Sequence, residues 1–65
     1  MSPKELLYIE DALAQMKFMK KKCDYAATQV TDEALKQLIE RVAKKNQTMF
    51  DDIYNVVINH ANGGA

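Results

Sequence analysis

The sequence is poor in the features that usually support or interrupt a very small protein. It has one cysteine, so an internal disulfide is excluded, and one proline and two glycines, so helix breakers are few. No cysteine or histidine cluster has the spacing of zinc ligands. Short chains bury only about 60% of their unfolded surface. With 65 residues and no such support, the chain is expected to gain stability by associating with another chain.

An excess of one charge and a long apolar run are also missing. Lys+Arg and Asp+Glu both number 9, whereas a nucleic-acid-binding protein usually carries a basic excess. No apolar run reaches the roughly 18 residues of a membrane-spanning helix. No basic-then-apolar leader opens the sequence. We therefore expect an intracellular chain with no signal peptide, no membrane span and no nucleic-acid partner.

Two helical patterns are present instead, in a chain whose residues are 48% hydrophobic. Ser2, Pro3 and Glu5 form a helix start with a possible capping box, which predicts a first helix over 3–29. Its apolar positions recur with helical spacing, and Lys20 interrupts them. They are Leu6, Ile9, Leu13, Met16, Cys23, Ala27 and Val30.

A second helix is predicted over 32–61, with Thr31 as its cap and a disordered tail at 62–65. The inter-helix turn would lie near 29–31. Because that segment has no glycine, one continuous kinked helix is an alternative. The apolar seam of the second helix follows a heptad alternation. It comprises Leu35, Ile39, Val42, Asn46, Met49, Ile53, Val56 and His60.

Both helices carry more apolar surface than a hairpin can cover. We therefore predict an all-α domain over 1–65, an antiparallel two-helix hairpin that homodimerises into a four-helix bundle. The predicted dimer interface consists of the positions beside the main seams, Leu7, Ala14, Phe18, Tyr25, Leu38, Phe50 and Val57. Basic residues at 20–22 and 41–45 lie nearer the turn, and acids gather at the open end. In a dimer with its turns at opposite ends, the basic residues of one copy would lie near the acidic residues of the other.

Few residues suggest chemistry. Asn46 is the one polar interruption of the central seam and is interpreted as a buried residue that fixes register rather than as a binding site. His60 has no companion ligand, and Cys23 lies on an apolar stripe where it would behave as a small hydrophobe. Glu40 is not followed by a histidine at i+3, so the di-metal motif of bundle oxidases is absent. No catalytic, metal or cofactor site is predicted.

The opening residues Met1-Ser2-Pro3-Lys4-Glu5-Leu6-Leu7-Tyr8-Ile9-Glu10-Asp11-Ala12-Leu13 resemble small spore-coat-like proteins related to the coat protein F family. The segment Phe50-Asp51-Asp52-Ile53-Tyr54-Asn55 resembles the second helix of that family. The resemblance implies a ferritin-like fold. It also implies polar His or Glu residues after Leu13 and His residues before the segment that begins at Phe50. This chain has Gln15-Met16 and Asn46-Gln47-Thr48-Met49 there, so a metal site is in doubt.

Three functions remain open at the level of sequence. The first is a non-enzymatic structural protein of the spore coat that acts by self-association, with itself and other coat proteins as partners. The second is a metal-binding or redox ferritin-like relative. The third is a helical adaptor that docks its outer stripe onto a partner protein.

Overall fold

The chain forms two α-helices joined by a short link. The computed structural model describes the backbone of residues 1–63 and the side-chain burial of residues 1–60. Helix α1 spans Pro3–Gln29 and helix α2 spans Glu33–Gly63, and the two pack along their lengths as an antiparallel hairpin. The described part is all-α and has no strand. Helix α2 extends past 61 into the segment expected as a tail, and residues 64–65 lie outside the described residues.

The start of α1 is held by the capping box that the sequence predicts. The Ser2 hydroxyl accepts a hydrogen bond from the Glu5 backbone N–H at 3.1 Å, and the Ser2 N–H donates to Glu5 Oε1 at 3.2 Å. Pro3 occupies the first helical turn, where its missing N–H costs nothing. Two of the unpaired donors at this helix end are therefore satisfied.

The link between the helices needs no glycine, because its backbone is extended rather than left-handed. Val30 has φ −81° and ψ 138°, and its N–H closes the last turn of α1 by donating to the Ala26 carbonyl at 3.1 Å. Helix α2 is capped by Asp32, whose Oδ1 accepts from the Leu35 N–H at 2.8 Å. Asp32, not Thr31, is thus the capping residue. The break between the helices excludes the continuous kinked helix.

The interface between the helices is narrow and is formed around two alanines. Ala27 and Ala43 are the only buried residues among those whose burial is described. Around them, half-buried positions on α2 recur in alternating steps of three and four residues, which is the pattern of a helix that faces a single partner. With Ala43, these inward positions are Lys36, Ile39, Asn46, Phe50, Ile53 and Val57, and Gln47 beside Asn46 is also half-buried.

This arrangement corrects the predicted seam of α2. Its alternate members Ile39, Asn46 and Ile53 do face α1, but the remaining ones do not. The other members are exposed, namely Leu35, Val42, Met49, Val56 and His60. Ala43 is buried while its neighbour Val42 is 47% exposed, so the inner edge of the apolar stripe of α2 faces α1 and its outer edge is uncovered.

Candidate functional site

Asn46 forms a hydrogen bond that joins the two helices. Its Nδ2 donates to the backbone carbonyl of Met16 at 2.7 Å, in a partly buried position. Among the described residues it is the only side-chain hydrogen bond between α1 and α2. A slip of either helix would break this bond. The position therefore favours the interpretation of Asn46 as a register-fixing residue.

A shallow groove runs along one side of the hairpin and shows how the two helices are turned. Its volume is about 260 Å³, and Lys17 of α1 and Tyr54 of α2 both line it. The Lys17 ammonium lies 5.6 Å from the centroid of the Phe50 ring, which stacks on Tyr54 at 6.1 Å. Lys17 directly follows the inward residue Met16, and Tyr54 directly follows the inward residue Ile53. Residues that directly follow an inward position therefore share this groove side.

The opposite side of the hairpin must carry the residues that directly precede the inward positions, because each helix turns about 100° per residue. On α2 these residues are mostly apolar, and Lys45 and Asp52 are the two charged exceptions. The apolar ones form a row along α2, and α1 contributes apolar neighbours. We call this surface the shared face. It is made of Leu35, Leu38, Val42, Met49 and Val56 from α2 and Tyr8, Ala12, Met19 and Ala26 from α1.

The shared face is apolar at its centre and largely open. The five α2 side chains are 45–54% exposed, and Met19 and Tyr8 are 49% and 65% exposed. Charged residues lie at its outer edge on α2, where Arg41, Lys45 and Asp52 are all exposed. An apolar centre with a charged rim, formed by two helices, is typical of a surface that contacts another protein.

The seven residues predicted as a dimer interface do not lie together. Leu7, Phe18 and Tyr25 are 65%, 55% and 58% exposed. They follow the side of α1 that faces away from α2. The exposed Ala14 continues the same row but also lines the groove beside Phe50 and Tyr54. We call these four residues the α1 stripe. Leu38 is exposed at the edge of the shared face.

The other two residues of that set lie elsewhere. Phe50 and Val57 are half-buried at inward positions of α2, and Phe50 also lines the groove. The structure thus separates the predicted interface into the α1 stripe, one edge of the shared face and the contact between the helices.

Side chains that could bind a metal or react are scattered over the hairpin. Cys23 is half-buried and His60 is exposed. Within the described residues, no three His, Cys, Asp or Glu side chains lie close enough to hold a metal ion. The neighbouring Ser2 hydroxyl and the hydrogen bond from the Ser2 backbone N–H lower the pKa of Glu5. This pKa shift arises from the capping box at the start of α1 and does not indicate a binding site.

Neither helix, over the residues described, has an apolar stretch long enough to cross a bilayer.

Sequence reasoning placed four residues of the shared face, Leu35, Val42, Met49 and Val56, in the central seam of α2. The missed signal was Ala43, which is buried and lies one residue from the larger Val42 that was placed in the seam. A small residue at the contact brings two helices together and fixes which edge of a wide stripe is buried. Because the inner edge of the stripe packs on α1, the α2 residues of the shared face remain exposed.

The fold and this surface define a class of protein, a small helical hairpin with apolar contact surfaces along its length. Comparison with known proteins then gives the family. The family model described as Coat F domain matches residues 5–61, and the chain belongs to this family of structural spore coat proteins. No curated protein and no solved structure gives a significant match to the chain.

Proposed function

We propose that this protein is a structural unit of the spore coat and that it self-associates through the shared face. Two hairpins pack face to face into a four-helix bundle with the arrangement of a ferritin-like fold. The observation that carries the proposal is the incomplete core, because no described side chain larger than alanine is buried. A coat protein acts by its contacts, and the shared face combines exposed apolar side chains from both helices.

The free energy gained by apolar burial in such a pairing can be compared with the cost of association. Complete burial of a Val, Leu or Met side chain contributes about 1.5–3 kcal/mol, so burying the remaining half of each α2 side chain in both copies contributes roughly 10 kcal/mol. Loss of translational and rotational freedom costs about 4–15 kcal/mol. Apolar neighbours from α1 add to the favourable term. The two terms are of similar size, so the pairing is expected to be reversible and to depend on protein concentration.

The charges at the rim favour copies whose turns lie at opposite ends. In that arrangement Val42 of one copy lies near Met49 of the second copy, because these residues lie symmetrically about the middle of the apolar row from Leu35 to Val56. Arg41 then lies near Asp52 of the second copy. Each exposed ion pair contributes only about 0–1 kcal/mol, so charge selects the orientation and apolar burial drives the association.

The experiment is sedimentation equilibrium with Val42→Glu. It is done in a Phe18→Glu background, so that the exposed α1 stripe does not add a second mode of association. We expect twice the chain mass of 7.4 kDa for the background protein. Val42→Glu places two carboxylates in the interface at several kcal/mol each, which weakens dimerisation at least about a hundredfold.

Ile58→Glu is the matched control, because Ile58 lies on the groove side of the same helix and is 36% exposed. It should leave the dimer intact. A monomeric background protein, or equal effects of the two glutamates, would refute the proposal. Circular dichroism of each variant checks that the helices still form.

A further inference from the structure

Two of the four methionines of the chain lie on the shared face. Met19 directly precedes the inward residue Lys20 on α1, and Met49 directly precedes the inward residue Phe50 on α2. Both methionine side chains are 49% exposed in the hairpin. Methionine is a common target of oxidation in proteins, and an exposed sulfur is accessible to an oxidant. The separate hairpin therefore presents two oxidisable sulfurs on the surface that the proposed pairing buries.

The register of the helices places both methionines near the middle of the shared face. The hydrogen bond from Asn46 Nδ2 to the Met16 carbonyl sets these two residues at the same level of the hairpin. Met19 lies three residues from Met16 towards the turn, and Met49 lies three residues from Asn46 towards the open end, so each is about 4.5 Å from that level. The midpoint between Val42 and Met49 falls beside Asn46, so the two-fold axis of the proposed dimer passes near the same level. Four methionines, two from each copy, then meet around the centre of the bundle.

We infer that Met19 and Met49 form a reversible oxidation site that controls self-association through the shared face, with hydrogen peroxide as the oxidant. The inference rests on the proposed function, because it assigns a regulation to the same surface. The sulfur lone pair attacks one peroxide oxygen, so that an S–O bond forms and the O–O bond breaks. The departing oxygen takes the proton of the transferred one and leaves as water. The thioether is thereby oxidised by two electrons to a sulfoxide, and the peroxide is reduced.

Oxidation and pairing oppose each other at this surface. A sulfoxide converts a flexible apolar side chain into a polar one, and burying a polar group among apolar side chains is unfavourable. A bundle of two oxidised hairpins holds four sulfoxides, which should weaken dimerisation at least about a hundredfold. Pairing in turn covers the sulfurs. Hairpins that pair first keep their methionines reduced, whereas hairpins that are oxidised first stay separate.

Sedimentation equilibrium before and after treatment with hydrogen peroxide tests the inference in the Phe18→Glu protein, with mass spectrometry to count the sulfoxides at each methionine. We expect a dimer before treatment and the single-chain mass once Met19 and Met49 are oxidised. Enzymatic reduction of the sulfoxides should restore the dimer. The control carries Met19→Leu and Met49→Leu, which remove both sulfurs with little change in volume and keep Met16 and Cys23. It should stay dimeric through the same treatment.

The rate of oxidation gives a second readout. Oxidation of Met19 and Met49 should slow as the protein concentration rises and the dimer forms, whereas oxidation of Met1, which is 46% exposed and lies outside the shared face, should not. Rates that are independent of concentration would overturn the inference. A dimer that persists with both methionines oxidised, or a leucine variant that also dissociates, would overturn it and leave the proposed function standing. A protein that is monomeric before treatment would instead contradict the proposed function.

Discussion

The substitution Asn46→Asp tests the hydrogen bond that joins the helices with almost no change in shape. The Asn46 Nδ2 donates to the Met16 carbonyl at 2.7 Å in a partly buried position. Replacing the amide with a carboxylate removes the donor and sets two oxygens against each other. A net hydrogen bond contributes about 1 kcal/mol, and an unpaired buried polar group costs about 1–3 kcal/mol, so we expect a loss of roughly 2–3 kcal/mol at neutral pH. For a small domain this lowers Tm by about 10–20 °C.

The loss should depend on pH with a defined sign. A protonated carboxyl can donate to the Met16 carbonyl, so folding raises the pKa of the introduced group above its unfolded value. Stability is then fully present below the unfolded pKa and is lost as pH rises through the folded pKa. Relative to the wild type, Asn46→Asp should therefore recover stability on acidification.

Thermal unfolding followed by circular dichroism from about pH 3 to pH 7 measures this, at one protein concentration because association also shifts Tm. The control is Asn46→Leu, which removes the amide and leaves no charge, so its difference from the wild type should not vary with pH. A constant difference between Asn46→Asp and the wild type over this range would refute the role given to the bond. An equal loss for both variants at pH 7 would do the same.

Further substitutions test the helix contact and the helix cap. Ala43→Leu should destabilise the hairpin by about 1–3 kcal/mol in thermal unfolding, because the helices approach closely at this buried residue, whereas Ala34→Leu at an exposed position of α2 should have little effect. Ser2→Ala should raise the pKa of Glu5 towards its ordinary value in an NMR titration and should destabilise α1 by about 1 kcal/mol. Because the pKa of Glu5 is lowered in the folded chain, its contribution is present above the unfolded pKa and is lost as pH falls through the folded one. An unchanged Glu5 titration in Ser2→Ala would contradict the capping box.

Local features of the fold follow well from the sequence. The capping box at Ser2 and Glu5 depends on residue types at fixed spacing, and the structure confirms it. The inward position of Asn46 was predicted for the same reason, since it lies in phase with Ile39 and Ile53. The all-α class follows from the helical spacing of apolar residues in both halves. These predictions need no knowledge of how the two helices approach each other.

The face that α2 turns towards α1 could not be obtained in this way. A wide apolar stripe offers two edges of similar hydrophobicity, and periodicity does not choose between them. Ala43 is buried and Val42 is exposed, so the choice is made by packing against α1, which the periodicity of α2 does not describe. The cap of α2 was misplaced by one residue, because Thr31 and Asp32 are both good capping residues and only the geometry of the link shows which carboxyl or hydroxyl reaches the Leu35 N–H.

The central claim is that the shared face of one hairpin packs on that of a second copy, with the turns at opposite ends. The most direct measurement is an isotope-filtered NOE experiment on a mixture of labelled and unlabelled Phe18→Glu protein, which isolates this contact. A cross-peak between the Val42 methyl groups of one copy and the Met49 methyl group of the other is predicted. A dimer that shows no intermolecular contact from either residue, or contacts only between the two copies of Val42, would contradict the account.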